Sequence, residues 1–260
     1  MIVTRFAPSP TGLLHLGHAF AALTAHRAGG RFLLRIEDID TARCREDFVT
    51  AIYEDLGWLG LTWERPVLRQ STRFAAYEEA LALLGDLTYP CFCTRADIAS
   101  AASAPHGPEG PLYPGTCRDP HRAPAPGEAY ALRLDAAKRV GPLSFGEESK
   151  GRVAIDPLLF GDIVLARKDT PASYHLAVVV DDAHQGVTLV TRGEDLFLAT
   201  HVQRLLQALL GLPAPRYAHH QLILGEGDRK FSKRDKAVTL RSLREAGASP
   251  GQIREWVGLP

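Results

Sequence analysis

Charge of one sign is not in excess here: Lys and Arg number 30, and Asp and Glu number 30. A global positive field that would gather a polyanion is therefore excluded, and any nucleic-acid contact must come from local clusters. No apolar run reaches the roughly 18 residues of a membrane helix. Even the stretch around Val178 to Val180 stops at Asp181-Asp182, so no membrane partner is expected. The opening Met1-Ile2-Val3-Thr4-Arg5 runs straight into a motif, with no basic n-region and no apolar h-region, which predicts a cytoplasmic protein. Cysteine is scarce. Cys44, Cys91, Cys93 and Cys117 are too few for a disulfide scaffold in 260 residues, and their clustering points to metal in a reducing compartment.

What is present is a chain that is 45% hydrophobic and long enough to bury a sizeable core. Ile2 to Phe6 reads as a buried strand, followed by a Pro/Ser/Gly loop and an Ala-rich helix from Leu16 to Ala28. Gly29-Gly30 ends that helix, and Arg31 to Ile36 alternates as a second strand closing in the acidic tip Glu37-Asp38-Ile39-Asp40. A βαβ unit of this kind predicts a parallel sheet with ligands at the carboxyl ends of its strands. Phe48, Ile52, Leu56 and Leu59 recur at helical spacing, and a further helix is expected after Ser71 as N-cap, with Phe74, Tyr77, Leu81 and Leu84 inward.

From Tyr89 to Gly127 the composition turns to Cys, Pro, Gly and His without periodicity, the mark of an insertion. Strands are then expected at Tyr130 to Leu134, Asp162 to Arg167, Val187 to Thr191 and His220 to Leu224, with a helix over Leu196 to Leu210. The fold class is α/β, a Rossmann-type doubly wound parallel sheet. Its two halves are expected at 1–88 and 173–225, an inserted subdomain at 89–172, and a basic loop with a short helical tail at 226–260.

His15-Leu16-Gly17-His18 falls where the first strand hands over to the first helix, so both imidazoles and several free backbone N–H groups face the crevice above the sheet. Gly17, lacking a side chain, lets a flat nucleoside lie against the backbone, and His15 and His18 can donate to phosphate oxygens. At the far end of the chain Lys230-Phe231-Ser232-Lys233-Arg234 supplies a cationic loop beside glycines, and Lys233 suits the charge that grows on an α-phosphate and a leaving pyrophosphate. Together these segments resemble the HIGH and KMSKS signatures of class I aminoacyl-tRNA synthetases. The resemblance implies ATP and Mg2+ as cofactors, with His15, His18 and Lys233 catalytic and Gly17, Lys230, Ser232 and Lys233 on the nucleotide.

Arg5-Phe6-Ala7-Pro8-Ser9-Pro10-Thr11-Gly12 resembles the opening of glutamyl-tRNA synthetases, and Arg35-Ile36-Glu37-Asp38, Tyr174-His175-Leu176-Ala177 and Arg192-Gly193-Glu194-Asp195 also have counterparts there. The resemblance spans nearly the whole chain. It implies L-glutamate as substrate, surrounded by Arg5, Phe6, Ala7, Pro8, Ser9, Glu37, Tyr174 and Arg192. The chemistry agrees: Arg5 and Arg192 suit the side-chain carboxylate and Glu37 the ammonium, leaving the α-carboxylate to attack ATP. Glutamine would be rejected, because an amide beside two arginines leaves buried cation unpaired.

Cys91-Phe92-Cys93 and Tyr113-Pro114-Gly115-Thr116-Cys117 place three thiols in the insertion, for which structural Zn2+ is the economical explanation. The family pattern implies Tyr113 as the fourth ligand, with His106 and His121 as the conventional alternatives, and Cys44 uninvolved. Little chain follows Lys233, where a tRNA-charging enzyme normally carries an anticodon-reading module. That shortness, with the glutamate motifs and the Cys/Cys/Tyr/Cys arrangement, resembles the glutamyl-Q tRNA(Asp) synthetase family. What it implies is glutamate activation without tRNA, transfer to queuosine in the anticodon stem-loop of tRNA(Asp), a monomer, and Arg229, Arg241 and Arg244 as candidate phosphate contacts. A shortened glutamyl-tRNA synthetase acting on the tRNA 3′ end, an H-x-G-H nucleotidyltransferase and a non-catalytic RNA- or nucleotide-binding relative are the alternatives.

Overall fold

A computed structural model of the chain describes residues 1–100, 106–107, 110–119, 122–136, 138, 141–167, 170–223 and 238–259. β1 (Val3–Phe6), α1 (Leu16–Arg27) and β2 (Arg31–Ile36) form the expected βαβ unit, the two strands parallel with Val3 opposite Arg31. Between helix and strand the backbone passes close to itself. A Cβ on Gly30, which has positive φ, would stand 2.0 Å from the Ile2 carbonyl oxygen, so only glycine permits so tight a return. α2 (Glu46–Trp58) buries Val49, Ile52 and Leu56 and leads to β3 (Glu64–Arg69), parallel to β2.

α3 (Phe74–Leu84) turns Tyr77, Ala80 and Leu84 inward, but Ser71 does not cap it. A 3-10 turn over Gln70–Thr72 intervenes and Arg73 stands at the cap. Asp38 draws Ser71 away, because its carboxylate accepts both the Ser71 N–H and the Ser71 hydroxyl at 2.8 Å. The insertion begins with β4 (Thr88–Cys91), continues through α4 (Arg95–Ser100) and the short strands β5 (His106–Gly107) and β6 (Gly110–Pro111), and reaches β7 (Ala131–Leu134). The hairpin of β8 (Ser144–Glu147) and β9 (Gly151–Ala154) follows, then β10 (Val164–Arg167). β10, β7 and β4 make an antiparallel sheet.

The apolar run after Ser173 is a helix, α5 (Tyr174–His184), capped by the Ser173 hydroxyl accepting from Leu176 N–H. β11 (Leu189–Gly193), α6 (Ala199–Leu209) and β12 (Arg216–His220) complete the sheet. The last strand thus lies earlier than His220 to Leu224. Tyr217, fully buried beside Phe145 and Val190, anchors the strand opposite β11, whereas Gln221 is exposed and Leu224 lies outside the described residues. β12 also pairs with β8, so a hairpin from within the 89–172 span joins the core sheet.

Thr188 N–H donates to Val3 O at 3.0 Å and Val3 N–H to Thr188 Oγ1 at 2.9 Å, which seats β1 beside β11. The strands then run β3-β2-β1-β11-β12-β8-β9, with helices on both faces. Alternate residues of β2 divide between them: Phe32, Leu34 and Ile36 join a core with α1, α2 and the closing helices α7 (Leu240–Glu245) and α8 (Pro250–Trp256), while Leu33 packs with Phe145 and Val190. This is the α/β, doubly wound class expected. Among the described residues no helix is long and apolar enough to cross a membrane.

Candidate active site

The nucleotide motif sits at the N-terminus of α1, where His15 and His18 form a reciprocal capping box, each side chain meeting the other's backbone N–H. His15 N–H donates to His18 Nδ1 at 3.2 Å, and the two rings lie with centroids 3.8 Å apart, tilted by 33°. Gly17 keeps that pair in place: a Cβ there would stand 3.1 Å from His15 Cε1. The chain returns to the same turn much later, since Thr239 bridges His15 and Leu240 N–H donates to Leu14 O at 2.8 Å. On the other side Ile223 packs on the core that holds Leu16 and Phe20. Residues 224–237 join these two points. Lys230, Ser232 and Lys233 belong to them and lie outside the described residues.

The amino-acid motifs converge through two acids on α5. Asp182 is buried and its Oδ1 accepts from Arg5 Nε at 3.1 Å and from Arg35 Nη2 at 2.5 Å. The shared carboxylate holds Arg5 by Nε and not by its two terminal guanidinium nitrogens. Burial works against the Arg5 charge, yet Asp182, with Tyr174 and Glu37 adding to it, holds that group above the ordinary guanidinium value. Burial likewise opposes the Asp182 charge, and Arg5 and Arg35 overcome it, holding the carboxyl below the usual range. Asp181 is a second anchor, accepting from Gln70, Arg73 and Tyr77 at 2.9, 3.0 and 2.7 Å.

Glu37 lies at the tip of β2, where Ser9 Oγ donates to its Oε2 at 3.0 Å and its own N–H donates to Pro8 O at 3.1 Å. Burial pushes its carboxyl up, while Ser9, Arg35 and Arg5 pull it back. The expected opening segment and acidic tip are therefore brought together. Phe6 is part of the α1 core rather than exposed to the crevice.

Arg192, at the end of β11, is buried and held on three sides by uncharged groups. Nε donates to His219 Nε2 at 3.1 Å, Nη1 to Gln203 Oε1 at 2.8 Å and Nη2 to Thr200 Oγ1 at 2.6 Å. His219 in turn meets Glu147 Oε2 through Nδ1 at 2.6 Å. The Arg192 guanidinium carbon stands 5.3 Å from the centre of the Tyr217 ring, and Tyr217 also feels Asp182 and Arg5, so one aromatic borders both arginine clusters. Sequence reading missed Asp182, Asp181, Glu147, Thr200, Gln203 and His219. The Asp181-Asp182 pair ending an apolar run was the one local signal available.

In the insertion the Sγ atoms of Cys91, Cys93 and Cys117 lie within 4.8 Å of one another and form no disulfide. Cys93 Sγ is 3.6 Å from Cys117 Sγ and 3.4 Å from Tyr113 Oη, which also accepts Cys117 N–H at 2.8 Å. Three thiolates on a tetrahedral ion at about 2.3 Å would be about 3.8 Å apart, so the set is close to a metal's dimensions. Burial opposes ionisation of Cys117, but hydrogen bonds with Tyr113, the Phe92 backbone and the other two cysteines bring its thiol to about 7. The His106 side chain and His121 lie outside the described residues. Cys44 is elsewhere, its Sγ 4.0 Å from Glu37 O. A cleft of 440 Å³ runs from Tyr113 past Arg133 and Arg167 to Tyr174 and His175, linking the thiol cluster to the amino-acid motifs.

Two of the three candidate phosphate contacts pair with acids of α2. Arg241 and Arg244 reach Glu54 at 3.4 and 3.5 Å, and Arg244 reaches Asp55 at 3.6 Å, binding α7 to α2. Arg229 lies outside the described residues.

A doubly wound sheet with this His-Leu-Gly-His turn after its first strand defines the catalytic domain of a class I aminoacyl-tRNA synthetase. The model of the class I tRNA synthetase (E and Q) catalytic domain matches residues 1–259, and the chain belongs to that family. It is 52% identical to the glutamyl-Q tRNA(Asp) synthetase of Rhodobacter capsulatus, covering 99% of this chain and 100% of that one. With the protein of the same name from Nocardia farcinica it shares 45% identity, over 98% of this chain and 85% of the other. Among solved structures it resembles a glutamate tRNA ligase from Elizabethkingia meningosepticum in complex with its amino acid, with a TM-score of 0.73 and 29% identity over 90% of this chain. The chain spans 52% of the length of that ligase.

Proposed function

We propose that this protein activates L-glutamate with ATP, without tRNA, and passes it to the queuosine base at the wobble position of tRNA(Asp). The observation that carries the reading is the pair of buried guanidiniums, Arg5 on β1 and Arg192 on β11, which are neighbouring strands of one sheet. End-to-end likeness to proteins named glutamyl-Q tRNA(Asp) synthetase supports the acceptor.

Arg5 and Arg192 take the side-chain carboxylate of glutamate, with Tyr174 closing one wall, and Glu37, oriented by Ser9, takes the ammonium. Phe6, Ala7 and Pro8 form the backbone edge of the site. The α-carboxylate is left pointing toward the α1 N-terminus, where His15, Gly17 and His18 receive the phosphates of ATP. Attack at the α-phosphorus expels pyrophosphate; Lys230 and Lys233 neutralise the oxygens on which charge develops, and the Ser232 hydroxyl donates to them. Mg2+ accompanies ATP in this class and screens the triphosphate. A hydroxyl of the queuosine cyclopentenediol then attacks the glutamyl carbonyl and releases AMP.

Cys91, Cys93, Cys117 and Tyr113 would hold Zn2+, whose part is to staple an insertion in which Tyr89, Cys91 and Tyr113 form a small buried cluster among the described residues. The boundaries 1–88, 89–172, 173–225 and 226–260, a monomeric state and a cytoplasmic location belong to the same reading.

The acceptor is tested by offering labelled glutamate to tRNA(Asp) with queuosine or with guanine at the wobble position. Label is expected only on the queuosine form, and removing the terminal adenosine should change nothing. A requirement for the terminal adenosine would favour a shortened glutamyl-tRNA synthetase.

A further inference from the structure

Arg5 and Arg192 are held in contrasting ways. Arg5 touches a carboxylate directly, whereas every side chain that hydrogen-bonds Arg192 is uncharged among the described residues. The nearest acid in its network is Glu147, one imidazole away. Glu147 is buried, and both its oxygens meet His219: Oε1 accepts the His219 N–H at 3.1 Å and the Ser149 hydroxyl at 3.3 Å, and Oε2 meets Nδ1 at 2.6 Å.

The proton on His219 can be assigned from these partners. Arg192 Nε is a donor and nothing else, so His219 Nε2 must offer a lone pair; Glu147 is an acceptor, so Nδ1 must carry the hydrogen. Around the ring stand Phe197 edge-on at 5.1 Å, Tyr217 stacked at 6.0 Å and Thr200 Oγ1 3.3 Å from Nε2, with Lys150 near enough to disfavour a second proton. Burial is the largest influence and keeps the ring neutral, outweighing Glu147.

We infer that Glu147 and His219 are positioning residues for the amino-acid site: Glu147 locks the His219 tautomer, and the Nε2 lone pair holds the Arg192 guanidinium ready for a substrate carboxylate. The inference deepens the proposed function and rests on Arg192 meeting the glutamate side chain. Placing the acid one ring away matters physically. A carboxylate in contact with Arg192 would compete with the substrate for the same fork, whereas a neutral relay orients the cation and leaves its charge for the ligand.

The test is Glu147→Gln, which keeps size and shape. Its amide oxygen can still accept the His219 N–H, but its NH2 then faces Nδ1 and drives the ring to the other tautomer, setting Nε2–H against Arg192 Nε–H. In ATP–pyrophosphate exchange the KM for glutamate should rise about tenfold, while kcat and the KM for ATP stay within about twofold. His219→Leu should match that loss, and His219→Gln, which restores an acceptor, should recover most of it. 15N-detected NMR of the wild-type protein reads the tautomer without substrate and should give protonated Nδ1 and unprotonated Nε2. An Nε2–H tautomer, or an unchanged glutamate KM in Glu147→Gln, would overturn the inference. Absence of glutamate-dependent exchange in the wild type would instead defeat the parent reading, and the tautomer measurement separates the two.

Discussion

Replacing Asp182 with asparagine keeps the volume of the side chain and removes the carboxylate that hydrogen-bonds both Arg5 and Arg35. Arg5, Arg35 and Asp182 are all at most 7% exposed, and the single carboxylate oxygen Oδ1 serves both guanidiniums. Without it two like charges face each other in the interior. Breaking a buried pair by removing one partner costs about 3–5 kcal/mol, which is a large part of the roughly 5–15 kcal/mol that separates folded from unfolded states. For a domain of this size that loss corresponds to a fall in Tm on the order of 10 °C.

The dependence on pH follows from the direction of the Asp182 shift. Its folded-state carboxyl is held below the usual carboxylate range, so its contribution is complete above the ordinary value and is lost only as pH falls through the depressed one. Thermal and urea melts followed by circular dichroism should show a wild-type-to-Asp182→Asn gap that is constant from neutral pH to about 5 and closes only below about pH 4. A Tm within about 2 °C of wild type at pH 7 would refute the argument that this carboxylate neutralises both arginines.

Other perturbations read other parts of the molecule. Arg192→Gln should lower kcat/KM for glutamate on the order of a hundredfold or more, measured by pyrophosphate exchange, because a buried charged partner of the substrate is lost. Gly17→Ala should raise the KM for ATP and leave glutamate binding intact by calorimetry, since the added methyl lies 3.1 Å from the His15 ring. Elemental analysis of the purified chain should find about one zinc, Cys93→Ser should lose it, and chelation should lower Tm. Asp55, buried in α2 without a hydrogen bond to its carboxylate, is pushed up to about 6, chiefly by burial. A raised carboxyl costs stability when it ionises, so Asp55→Asn should be more stable than wild type at pH 8, with the difference shrinking as pH falls toward 4.

Much of the frame was legible because its signals are local. The strand, the His-Leu-Gly-His turn and the Ala-rich helix occupy adjacent residues, and their periodicity and glycines determine them without help from elsewhere. Cys91 and Cys93 were legible for the same reason, whereas Cys117, 24 positions beyond Cys93, was legible through the scarcity of cysteine and the family resemblance. The groups that orient the arginines were not. Asp182 meets Arg5 across 177 positions, Glu147 meets His219 across 72, and His219 meets Arg192 across 27, contacts that only strand pairing and helix crossing create. Where local reading erred, a tertiary partner had intervened. Ser71 looks like a helix cap until Asp38 takes both of its donors. The final strand is set by Tyr217 entering the core rather than by the apolar residues after His220.

The central claim is that buried guanidiniums choose a dicarboxylic amino acid and aim its α-carboxylate at ATP. Exchange of labelled pyrophosphate into ATP, run with the purified protein and no tRNA, tests it most directly. Exchange should occur with glutamate and be absent with glutamine at the same concentration; equal exchange with both, or none with glutamate, would contradict it.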